Sequence, residues 1–309
     1  MNWLSERSAY IPRTSIASCF AAAVTILPVL KWRPRAGSSG RVRARAIMLT
    51  LLLAIGSSAV TAAEEIRIAG TSAAMGTMQM LATRFIQSNP NVKITVVGAL
   101  ASEGGLKAVL SGAIDLALSS RPLNGEEIRS GLSQFEYART PFVFAVPVAS
   151  AVGSITRQEL ADIYSGRMVQ WPDGSAVRVV MRPANNPNNE LVKRLGAEIR
   201  KGVSAAENRP GMRVVITDEE TADNLERSPG AIGALSLSLI LSEKRPLKAL
   251  KLDGVEPTPA NAASKAYPLY KPLYFVTGAR HRAVVERFVA FVRSPAGRKI
   301  INDNGQWIP

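Results

Sequence analysis

The 309-residue sequence is short of the residues on which most enzyme sites are built: it holds one cysteine, Cys19, and one histidine, His281. So few of these residues cannot form a zinc cluster, and the many serines are left without an obvious base to activate them. No catalytic residue, metal site or cofactor is therefore expected. Aromatic residues are also sparse, at 6%. Beyond residue 63 no lysine or arginine run is interleaved with them, which argues against nucleic acid as a partner. GTSAAMGTM (70–78) lacks the lysine and the spacing of a nucleotide P-loop. Paired carboxylates such as Glu219 and Glu220 open a predicted helix, where the helix dipole accounts for them.

Long apolar runs are rare too, and the clearest one, within RVRARAIMLTLLLAIGSSAVTAA (41–63), is too short to cross a bilayer. Arginines before it and small residues after it make a secretory signal peptide, with cleavage expected after Ala62 or Ala63. Residues 1–63 are thus read as a leader whose first forty residues belong to no domain, with Val42 a candidate start. Cys19 has small neighbours of the kind found at lipid-anchored cysteines, but the preceding ERSAYIPRTS is polar, so the anchor is not expected. Eight of the 38 basic residues and one of the 24 acidic ones fall in the leader, leaving 30 against 23. That residual positive balance is compatible with attraction of anions.

From Glu64 onward the chain alternates strand and helix. IRIAG (66–70), VKITVVG (92–98) and IDLALS (114–119) read as strands, each followed or preceded by a helical pattern such as MQMLATRFIQ or LKAVLSG. This alternation predicts an α/β fold with a mostly parallel sheet. The apolar stretch PFVFAVPVAS (141–150) marks a crossover into a second series that contains TRQELADIYSG, VRVVM, NELVKRLGAEIRK, RVVIT, DEETADNLERS and GAIGAL. YPLYKPLYFVTG (267–278) returns, and two helices close the chain, the last with Ser294 as N-cap and Pro295 in its first turn. The expected division is one lobe from 64–142 with 273–309, and another from 143–272.

In such sheets ligands sit beyond the carboxyl ends of the strands. The loops there carry Thr71 and Ser72, then Ser102, then Ser119 and Ser120, with helix starts close by to supply free N–H groups. One such loop is ordinary turn chemistry; three at one sheet edge make an anion cradle. From the second series Arg182 ends a strand, and its planar guanidinium suits an oxyanion. Asn186 followed by Pro187 reads as a helix start.

These segments resemble the phosphate-binding protein family of ABC transporters, over nearly the whole chain beyond the leader. The likeness lies in GTSAAMGTM, SEGGLKAVLSGAIDLALSSRPL, LADIYSGRMVQW, GAIGALSLS and YPLYKPLYFVT. It implies a two-lobed type II periplasmic binding protein fold, a Venus flytrap with mixed, mostly parallel sheets and helices on both faces. It further implies a periplasmic monomer that captures phosphate or a similar oxyanion and delivers it to an ABC permease in the inner membrane. A binding protein for a sensor or adhesion system is the alternative, and a serine-dependent phosphatase a more distant one. By position, Thr71, Ser72, Ser102, Ser119, Ser120 and Arg182 match the family's ligand contacts. Where the family has Ser-Gly-Thr after the arginine this chain has ANNPNN, so Asn185, Asn186 and Asn188 are expected to donate instead. Better-known members carry an aspartate in place of Ser120, and Glu103 is a candidate acceptor in its stead.

Overall fold

A computed structural model describes residues 64–279 and 281–309; the leader, its cleavage site and Cys19 lie outside them. The first strand, β1 (Glu64–Gly70), runs parallel to β2 (Val92–Ala99) on one side and to β3 (Leu116–Ser119) on the other. Between them lie α1 (Met75–Ser88), led in by a single 3-10 turn at Ser72–Ala74, and α2 (Ala101–Leu110). Met78, Leu81, Ala82 and Phe85 give α1 a buried stripe at the helical i, i+3, i+4, i+7 spacing. Met78, Leu81 and Phe85 each contribute roughly 1.5–3 kcal/mol on burial. All four residues of β3 are buried, as expected of an interior strand covered on both faces.

Two long strands carry the sheet onward. β4 (Ser133–Pro147) pairs antiparallel with β11 (Tyr270–Thr277) as far as Pro141, then changes partner at Phe142 to β8 (Ala231–Ser236). β8 is followed laterally by β6 (Arg178–Met181) and the two-residue β7 (Arg213–Val214), both parallel to it or to each other. The full order is β2-β1-β3-β11-β4-β8-β6-β7, with β9 (Leu247–Ala249) also paired to β4. A separate two-stranded ladder joins β5 (Ser154–Ile155) to β10 (Lys251–Leu252).

A large apolar core forms on each side of that change of partner. One gathers Ile66, Ile68, Met78, Leu116, Phe275 and Phe288 around the β1 side; the other gathers Phe142, Phe144, Leu160, Ile199, Leu225 and Tyr267 around the β8 side. The terminal helices α10 (Ala283–Arg293) and α11 (Pro295–Asp303) pack into the first core, and Ser294 caps α11 by accepting from Gly297 N at 3.3 Å. Helices of the second core are α4 (Arg157–Ser165), α5 (Pro187–Lys193), α6 (Ala197–Glu207), α7 (Asp218–Arg227) and α8 (Leu237–Ser242). Short α3 (Gly125–Arg129) and α9 (Pro259–Ala263) complete the set.

Three local expectations change. NELVKRLGAEIRK is not one helix: it breaks at Gly196, which has extended dihedrals, to give α5 and α6. β4 begins eight residues before the apolar stretch that predicted it, because SQFEYART, although rich in polar residues, pairs with β11 along its length. α2 begins at Ala101 rather than at Leu106, which places Ser102 in its first turn. No helix among the described residues is long and apolar enough to cross a membrane.

Candidate functional site

The segments that follow the carboxyl ends of β1, β2, β3, β6 and β7 converge on one cleft of about 740 Å³. Gly70 shapes its first wall. Its φ of +140° is one that side chains rarely adopt, and a Cβ there would lie 2.1 Å from the Leu118 carbonyl oxygen, so only glycine lets β1 end against β3. Thr71 N then donates to that same carbonyl at 2.9 Å, and the chain turns into the Ser72–Ala74 turn and α1.

Three hydroxyls cluster on this wall. Ser102 Oγ lies 3.3 Å from Ser120 Oγ and accepts from Ser120 N at 3.0 Å; Thr71 Oγ1 donates to Ser120 Oγ at 3.4 Å. Ser72 Oγ reaches the opposite wall, accepting from Asp218 N at 3.0 Å at the start of α7. Each hydroxyl can still rotate a proton toward a guest in the cleft. On the facing side Asn185, Asn186 and Asn188 line the cleft. Asn186 caps α5 as its sequence suggests, accepting from Asn188 N at 3.0 Å with Pro187 in the first turn.

The floor is a buried group of charges. Asp218 contacts Arg182 Nη2 at 2.5 Å and Lys271 Nζ at 3.0 Å through each of its oxygens. Its Oδ2 also accepts from Ser236 N at 3.0 Å and Ser236 Oγ at 2.6 Å. All three charged side chains are at most 4% exposed. Burial favours the neutral form of the Asp218 carboxyl, but the Lys271 and Arg182 charges and the Ser236 hydroxyl outweigh it and hold it down at about 2. Burial lowers Lys271 to about 8, with Asp218 opposing and Arg182 assisting. Burial likewise lowers Arg182, against the pull of Asp218. Two cations against one anion leave the floor with one net positive charge. The Arg182 Nη1 is buried and has no hydrogen-bond partner among the described residues.

Thr71, Ser72, Ser102, Ser120, Asn185, Asn186 and Asn188 therefore meet at one cleft, and two expected residues take other places. Ser119 is fully buried, and its Oγ closes a turn by donating to Arg121 O at 2.7 Å and accepting from Arg121 N at 3.2 Å. Its side chain does not line the cleft, because successive strand residues point to opposite faces. Arg182 sits behind the cleft surface, turned onto Asp218. Glu103 is mostly exposed and is paired with Arg121, which also grips Glu127, so it is no free acceptor. His281 lies outside the cleft, 3.0 Å from Glu286.

Asp218 and Lys271 are not among the residues expected from the sequence, although periodicity marks both. Asp218 heads the α7 stripe of Asp218, Thr221, Ala222 and Leu225, and Lys271 shares the buried face of its strand with Leu273 and Phe275. A charge at a core-facing position is a signal of a buried pair.

Relatives agree with this architecture. The chain is 24% identical to the phosphate-binding protein PstS of Borreliella burgdorferi over 248 residues, 78% of this chain and 88% of that protein. It is 26% identical to the phosphate-binding protein PstS of Bacillus subtilis over 259 residues, 80% of this chain and 81% of that one. A Clostridium perfringens structure described as a phosphate ABC transporter substrate-binding protein with bound phosphate superposes with a TM-score of 0.68 at 23% identity, covering 80% of this chain and all of that one. The family model for the PBP superfamily domain matches residues 56–296, and the chain belongs to that family.

Proposed function

We propose that this protein captures phosphate in the cleft as the extracytoplasmic substrate-binding component of an ABC transporter. The single observation that carries the reading is the buried floor of Arg182, Asp218 and Lys271, which keeps one positive charge in excess beneath a wall of hydroxyls. Holding an uncompensated charge out of water costs several kcal/mol, so such a floor is suited to a guest that brings the missing negative charge. The names of the relatives support phosphate as that guest.

In this reading Thr71, Ser72, Ser102 and Ser120 donate from one wall, and Asn185, Asn186 and Asn188 from the other. Arg182 contributes its charge from beneath. The two cores act as lobes that flex where β4 and β11 pass between them, approximately 64–142 with 273–309 against 143–272, and close on the anion. Binding without turnover fits the lining, since among the described residues no imidazole or thiolate lies in the cleft to act as base. In this reading the protein works outside the cytoplasm, in the periplasm, with a permease as its partner, and the names of the relatives support that role.

A thermal-shift screen against phosphate, sulfate, molybdate and simple phosphate esters tests this. Phosphate is expected to raise the melting temperature most, because a ligand that binds only the folded state stabilises it by mass action. A panel without any stabilising oxyanion overturns the reading.

A further inference from the structure

We propose that Lys271, rather than Arg182, is the cation that gives the cleft its affinity for anions; this rests on the binding reading above. Lys271 lines the cleft and Arg182 does not. The Lys271 ammonium has three N–H donors. Two are taken by the Asp218 oxygens, each at 3.0 Å, and the third has no hydrogen-bond partner among the described residues. One flank of the ammonium lies over the Phe142 ring, 4.4 Å from its centroid, which accommodates charge but takes no directed hydrogen bond of ordinary strength.

The arithmetic of charge gives Lys271 its weight. Arg182 and Asp218 form a close buried pair that sums to zero. Of the two cations that share Asp218, Lys271 is the one that lines the cleft, so the excess positive charge of the floor meets a guest through its ammonium. Its position is set by the sheet: Lys271 stands opposite Thr140 on β4, one residue pair before β4 leaves β11 for β8, at the point where both walls of the cleft meet. The strand holds the side chain there with little freedom, so the donor is preorganised for a guest.

Removing the Lys271 charge should weaken binding, and removing the Asp218 charge as well should restore it, since Arg182 alone then supplies the net positive charge. The experiment is calorimetric titration of inorganic phosphate into the unmodified protein, Lys271→Met, and Asp218→Asn with Lys271→Met, each checked by thermal melting. Lys271→Met is expected to bind about 30-fold more weakly or worse, in the range for loss of one partner of a desolvated charge pair. The double variant is expected to return to within about tenfold of the unmodified protein. If Lys271→Met does not fold, the double variant decides alone. The proposal is overturned if Lys271→Met binds phosphate as well as the unmodified protein, or if the double variant shows no recovery and no binding. An unmodified protein that binds no oxyanion removes the binding reading itself, a different result from either.

Discussion

Lys271 Nζ lies 3.0 Å from each carboxylate oxygen of Asp218, and both side chains are almost wholly buried where the two walls of the cleft meet. This bond ties β11 to the start of α7, and Arg182 and Ser236 converge on the same carboxylate.

Asp218→Asn is expected to destabilise the fold by about 3–5 kcal/mol, because breaking a buried ion pair leaves its partners uncompensated. Here two cations would face each other. Urea unfolding at neutral pH measures the loss, and added phosphate should recover part of it by supplying the absent negative charge.

Acid should remove the same stabilisation. Asp218 titrates at about 2 in the folded protein, below an ordinary carboxylate, so its contribution is complete above the ordinary value near 4 and is lost as pH falls through about 2. Linkage puts that contribution on the order of 2–3 kcal/mol. The stability difference between the unmodified protein and Asp218→Asn should shrink across this window, as read by unfolding at stepped pH.

At the alkaline end binding, rather than folding, is expected to fail. Lys271 loses its proton around pH 8, and the floor then has no excess positive charge. Affinity for phosphate, which stays anionic throughout, should fall between about pH 7.5 and 9.5. In the folded state burial disfavours the charged ammonium, so the same deprotonation relieves a cost to stability as pH rises. Titration calorimetry and thermal melting should therefore move in opposite directions.

Neighbouring serines should separate cleanly. Ser120→Ala removes a hydroxyl from the cleft and is expected to weaken phosphate binding by about 1.5–3 kcal/mol, the range for a hydrogen bond to a charged group. Ser119→Ala opens a buried turn and is expected to cost about 1–3 kcal/mol of stability with little change in affinity. Paired melting and titration of the two variants check this.

Much of this architecture is legible in the sequence, and the gaps have physical causes. The strand-helix alternation and the loops at Thr71, Ser102 and Ser120 follow from period and composition, because turn residues and apolar spacing are local properties. A Ser-Ser pair at a strand end does not say which hydroxyl faces outward; the pleat decides, and it sends Ser119 inward. Lys271 and Asp218 are 53 residues apart, and a charge on a buried stripe announces that it has a partner without naming it. Only the change of partner along β4 brings the two together.

The decisive measurement is a calorimetric titration of the purified protein with inorganic phosphate at neutral pH, repeated with Ser102→Ala and with Ser120→Ala. The account predicts one phosphate per chain at micromolar affinity or better, weakened at least tenfold by each substitution. Saturable phosphate binding that neither substitution changes would place the anion somewhere other than this cleft and contradict it.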